Sequence, residues 1–210
     1  MNKTLWLTLI ALLLAGSAYA QDTTLTRLIQ KNRYPLELRG PEPTGTGWDK
    51  LRESIQKSQF VLVGEEHGIA QIPVFTGAVA QVLKPAAFVA EIDTYQMQEL
   101  THLTAQPGPP TAYLKQHPYA LSFYSWTEEY ELARQLRAQN VQLIGVEQVN
   151  FFSIGSFYSQ LATLAKNKQA KAYLQARATA YQAFDLAAMR QGKSDWAMFT
   201  QKQSAIDSLL

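Results

Sequence analysis

Three apolar runs, each closing on an acidic residue, constrain this chain most. Phe60-Val61-Leu62-Val63 leads into Gly64-Glu65-Glu66-His67-Gly68, Ala86 to Ala90 leads into Glu91-Ile92-Asp93, and Val141 to Val146 leads into Glu147. Short apolar runs of this kind read as buried strands. Around them the apolar spacing is helical, over 48–57, 72–83, 95–103 and 125–139. Pro73 suits a first turn, Ser125 and Glu128 have capping-box spacing, and Asn140 can end the last of these helices. Strand alternating with helix predicts an α/β fold, a mostly parallel sheet with flanking helices. After Gly155 the pattern becomes an Ala-rich helical segment, about 156–166, 168–190 and 194–210, broken at Gly192 and capped at Ser194.

The N-terminus constrains where such a chain works. Asn2-Lys3, the apolar run Leu5 to Ala15, and Ala18-Tyr19-Ala20 have the three parts of a secretory signal, so residues 1–20 are expected to be a cleaved signal peptide. The run is too short to span a bilayer. Residues 21–47, with Pro35, Gly40, Pro41, Pro43, Gly45 and Gly47, read as an irregular arm. Residues 48–210 read as one domain, with 48–150 the strand-helix core and 151–210 the helical segment. The chain reaches Leu210 without a helix-ending signal, which leads us to expect a short or truncated sheet.

Export implies a periplasmic or secreted protein. With no cysteine in the chain, disulfides, thiol catalysis, thiolate metal sites and a lipid-bearing N-terminus are all excluded. The formal net charge is only +2 before removal of Lys3, which offers no electrostatic reason for a nucleic-acid partner. A small-molecule ligand is the expected partner, with no transmembrane segment in the mature chain.

In an open parallel sheet the strand ends share one edge, where ligands bind. Glu65 or Glu66, His67, Glu91, Asp93 and Glu147 are therefore expected to converge. One chemistry for such a set uses His67 as general base toward water, with Glu65 or Glu91 orienting the imidazole. The other uses Glu65, His67 and Glu91 as ligands of a divalent metal that activates water. Polar residues also occur at strand ends simply because the chain leaves the core there. The aromatic stretch Tyr113, Tyr119, Phe123, Tyr124 and Trp126 reads first as core packing and second as a wall for an apolar ligand, with Tyr124 and Trp126 the nearest candidates. His102 reads as a packing or surface residue, and His117 as a loop residue. No G-x-S-x-G and no Walker sequence is present.

Val61-Leu62-Val63-Gly64-Glu65-Glu66-His67-Gly68, with Val89-Ala90-Glu91, Trp126 to Leu132, Leu136 to Asn140 and Ile144-Gly145-Val146-Glu147, resembles a superfamily. It groups the erythromycin esterases, the ChaN-type haem-binding uptake proteins and the TIKI/TraB proteins. The resemblance covers roughly residues 48–150. It implies an α/β core with the site at the strand ends. By the esterase branch, His67 would activate water beside Glu65 and Glu91. By the TIKI branch, the same residues would hold a metal. By the ChaN branch, the pocket would take haem, with tyrosine on the iron. One residue separates Glu65 from His67 here, as in the ChaN and TIKI branches, whereas the esterases have two. The expectation is thus an exported hydrolase cleaving an ester or similar bond, with haem or iron-ligand binding, or an inactive truncated member, as the alternatives.

Overall fold

The computed structural model describes residues 23–200 apart from 41 and 119. The expected signal peptide, Tyr119 and the end of the last expected helix lie outside the described residues.

The chain divides after Lys57. In the first unit, α1 (residues 23–31) occupies part of the expected irregular arm. Leu25, Leu28 and Ile29 give it a helical stripe, which is exposed. A single antiparallel bridge joins Glu37 to Thr44, and α2 (Thr46–Gln56) follows. The boundary thus places α2 with the arm and not with the domain expected to begin at residue 48.

The second unit is mixed α/β. Helix α3 (Gln71–Leu83) leads to β1 (Ala87–Asp93), which runs straight into α4 (Thr94–Leu103). The short α5 (Thr111–Gln116) and a 3-10 turn at Ser122–Ser125 precede α6 (Thr127–Ala138) and β2 (Gln142–Glu147). Strands β1 and β2 pair in parallel, Ala87 opposite Gln142 through Ala90 opposite Gly145, and an irregularity then brings Asp93 opposite Glu147. Side chains alternate along β1. Ala90 and Ile92 enter a core with Met97, Leu100, Leu121, Tyr124 and Ala133, while Val89 and Glu91 face outward and are exposed. Helices α4 and α6 pack against the strands.

Asn140 and Gly145 fix the backbone on either side of the entry into β2. Asn140 takes a left-handed conformation (φ 60°) and Val141 N–H donates to the Leu136 carbonyl, closing α6 as expected. Gly145 lets β2 approach the end of β1 closely: a Cβ there would lie 2.6 Å from the Ile92 carbonyl oxygen and 2.7 Å from that of Asp93.

The first expected strand does not form. Residues 60–63 join no ladder among the described residues, and Phe60 and Leu62 are 83% and 93% exposed. Their composition is strand-like, but a strand requires a partner for its amides and carbonyls, and among the described residues the sheet holds only β1 and β2. Ser125 is likewise not a cap: the 3-10 turn takes it, and α6 starts after Trp126 with no side-chain cap.

The helical segment is a hairpin of α7 (Ile154–Leu164) and α8 (Lys168–Arg190), with Ile154, Tyr158, Ala162, Leu174, Ala178 and Tyr181 between them. Asn167 caps α8 through the amides of Gln169 and Ala170, and Gly192 (φ 64°) ends it. Instead of a helix from Ser194, a 3-10 turn spans Ala197–Thr200.

Candidate functional site

Glu91 points outward from β1, one residue beyond the buried Ala90 and one before the buried Ile92. Strand alternation alone sets that direction. The segment carrying Glu65 and His67 reaches the same place. It turns at Gly68, whose φ of 87° is a left-handed conformation that favours glycine, and Ile69 N–H donates to the Glu66 carbonyl at 3.4 Å. One ligand atom each from Glu65, His67 and Glu91 lies within 4.8 Å of the others. His67 Nε2 is 4.0 Å from a Glu91 carboxylate oxygen, ion-pair range but beyond a hydrogen bond.

Phe123 fixes the imidazole. The two rings stack with centroids 3.4 Å apart and planes 8° from parallel, and Trp126 tilts against Phe123 at 5.7 Å. Phe123 is held by its neighbour: Ser122 is left-handed (φ 48°), and its hydroxyl donates to Gln96 Oε1 at 2.9 Å.

Beside His67 an open pocket of about 260 Å³ is lined by Gly68, Ile69, Pro73, Trp126, Glu128 and Glu129. Glu128 and Glu129 stand in the first turn of α6, where the helix dipole favours a carboxylate. For Glu129 that effect loses. Burial first, then the charges of Glu65 and Glu128, raise its carboxyl to about 7.

The remaining expected residues divide by surroundings. Asp93 is buried and engaged. Its Oδ1 accepts the amides of Tyr95 and Gln96, both at 2.9 Å, and its Oδ2 accepts the Ser153 hydroxyl at 3.3 Å. It is the N-cap of α4. Glu147 is exposed, accepts the amide of Gln148 at 2.8 Å, and is not in the Glu65–His67–Glu91 group. Glu66 is exposed and lines no part of this pocket. Trp126 does line it. Tyr124 is a core residue instead, and burial, with Glu129 and Glu65, raises its phenol pKa.

Two contributors were not singled out from the sequence. Phe123 was legible only as one aromatic among several. Glu129 shares the Glu128-Glu129 pair with an exposed neighbour, and only its position in the helical stripe, three residues before Leu132, marks it as the inward one.

The donor set of Glu65, His67 and Glu91 fits a divalent cation. Imidazole nitrogen and carboxylate oxygen bind such ions at roughly 2.0–2.2 Å. Adjacent donors around such an ion stand about 3.0–3.4 Å apart, so donors spread over up to 4.8 Å need to close by about an ångström, a movement that rotation of exposed side chains can supply.

Among the described residues no helix is long and apolar enough to cross a membrane. Comparisons of the chain with protein-family models, with curated proteins and with solved structures give no match.

Proposed function

We propose that this protein is an exported hydrolase that cleaves an ester or similar bond with water activated at His67. The observation that carries the reading is the meeting of Glu65, His67 and Glu91, from two distant stretches of chain, within 4.8 Å beside an open pocket. A ring nitrogen of His67 takes a proton from water as the oxygen adds to the carbonyl carbon. Glu91, 4.0 Å away, stabilises the imidazolium, and the flat contact with Phe123 keeps the ring in place. The proton then passes to the departing alkoxide, leaving an acid and an alcohol. The test is hydrolysis of a panel of aryl and alkyl esters by the purified full chain, with His67→Ala alongside. No turnover by the wild-type protein, or turnover that His67→Ala leaves intact, overturns the reading.

The mutual spacing of the three donors supports a second reading in which they hold a divalent cation. Such an ion would supply Lewis acidity and a more acidic bound water. Activity that EDTA abolishes and manganese or zinc restores would favour it. Activity of metal-free protein that needs His67 would remove it.

A further inference from the structure

The pocket next to His67 has the chemistry of a cation receptor. Its walls are the apolar Ile69 and Pro73 and the indole of Trp126, which is 43% exposed and so has free surface. Its polar groups are the carboxylates of Glu128 and Glu129, and no residue lining it is basic. Glu129 is only 8% exposed, and among the described residues its carboxylate has neither a hydrogen bond nor an ion pair. Buried carboxylates are ordinarily paired, because removal from water costs several kcal/mol unless a partner replaces it. The other buried acids are engaged: Asp93 accepts three hydrogen bonds, and Asp185 accepts the Ala197 amide at 2.7 Å through Oδ1, leaving only its Oδ2 unpaired. Glu129 lacks such a partner among the described residues and lines the open pocket.

We infer that this pocket receives an organic cation, an ammonium or guanidinium group of the ligand, paired with Glu129 against the face of Trp126. An aromatic face attracts a cation through its quadrupole, most strongly for tryptophan. A bound cation would also offset the burial, and the repulsion from Glu65 and Glu128, that raise Glu129 to about 7. This deepens the hydrolytic reading by naming a substrate class, an ester carrying a positive group one pocket away from the scissile bond. It rests on that reading for the bond cleaved but not for the cation bound.

Choline and its uncharged carbon isostere, 3,3-dimethylbutan-1-ol, separate charge from shape. Their binding to the full chain would be measured by calorimetry at pH 8 in excess EDTA. Choline is expected to bind at least tenfold tighter than the alcohol. Glu129→Gln should remove that preference, and Trp126→Leu, on the exposed wall, should weaken choline binding severalfold. His67→Ala should leave the preference unchanged, so a cation site without hydrolysis would sink the enzyme reading alone. Equal affinity of the two probes for the wild-type chain, binding of neither, or a preference that survives in Glu129→Gln overturns the inference. So does manganese binding, measured without EDTA, that depends on Glu129 while choline does not bind.

Discussion

The imidazole of His67 lies flat on the ring of Phe123, 8° from parallel at 3.4 Å between centroids. Hydrogen-bond geometry does not orient this histidine, since its nearest carboxylate oxygen is 4.0 Å away. Stacking does. Phe123→Leu should therefore lower hydrolysis about tenfold while leaving the fold intact. An aromatic pair is worth about 0.5–1.5 kcal/mol beyond its buried area. Turnover and thermal melting of the same sample check both halves of this expectation.

His67→Ala should reduce hydrolysis by about 10²–10⁴, the usual yield of positioned acid–base catalysis. Glu91→Gln, which removes the charge that stabilises the imidazolium, should cost less, about tenfold. Both side chains are substantially exposed, so stability should change by no more than about 0.5 kcal/mol. Parallel turnover and urea-melting curves would show whether activity is lost without unfolding.

Glu129 should make stability fall as pH rises. Its carboxyl is raised to about 7 in the folded chain, from an ordinary value of 4.5. Between those limits the folded state holds a proton that the unfolded state has released. Its contribution is present below pH 4.5 and is lost as pH rises through about 7. The effect should be about 2 kcal/mol, discounted for screening at the open pocket mouth. Glu129→Gln should flatten the pH dependence of the melting temperature over this range and stabilise the protein at pH 8. An unchanged profile would count against the burial that raises Glu129.

Asp93 separates capping from catalysis. Asp93→Ala strips the N-cap from α4 and leaves the Ser153 hydroxyl without that acceptor, so it should cost about 2 kcal/mol. Asp93→Asn keeps a capping oxygen and should retain most stability and full turnover. Activity lost in Asp93→Asn at unchanged melting temperature would instead place Asp93 in the chemistry.

Gly145→Ala should be among the most damaging small substitutions. The new methyl would meet the backbone oxygens of Ile92 and Asp93 at 2.6 and 2.7 Å, and backbone cannot swing aside as a side chain can. A loss of about 2–3 kcal/mol, the upper range for overpacking, is expected in denaturant unfolding.

Elements with their own periodicity were legible in the sequence. Helices α3, α4, α7 and α8 lie within a residue or two of their expected spans, and Asn140 and Gly192 end helices where their backbone freedom allows. What depended on partners was less legible. Phe60 to Val63 has the composition of a strand, but pairing is decided by residues far away, and among those described none pairs with it. The outward direction of Glu91 followed from alternation along β1. That Asp93, two residues on, would be buried did not, because the strand is irregular between Ala90 and Asp93 and turns directly into α4. Glu129 was hidden for a similar reason: burial of one glutamate in a pair depends on what the helix packs against.

The unpaired run at Phe60 to Val63 has a consequence for handling the protein. Four consecutive uncharged β-formers, two of them almost fully exposed, are the kind of segment through which copies stack into intermolecular sheets. Lys57 stands three residues before the run and Glu65-Glu66 follow it after Gly64, so charges bracket it as gatekeepers against self-association. Glu65 thus serves colloidal solubility as well as the site, and neutralising it removes one of those guards. A Glu65→Gln sample that loses activity should first be shown by light scattering to be monodisperse, since clumping at Phe60 and Leu62 would imitate a catalytic defect.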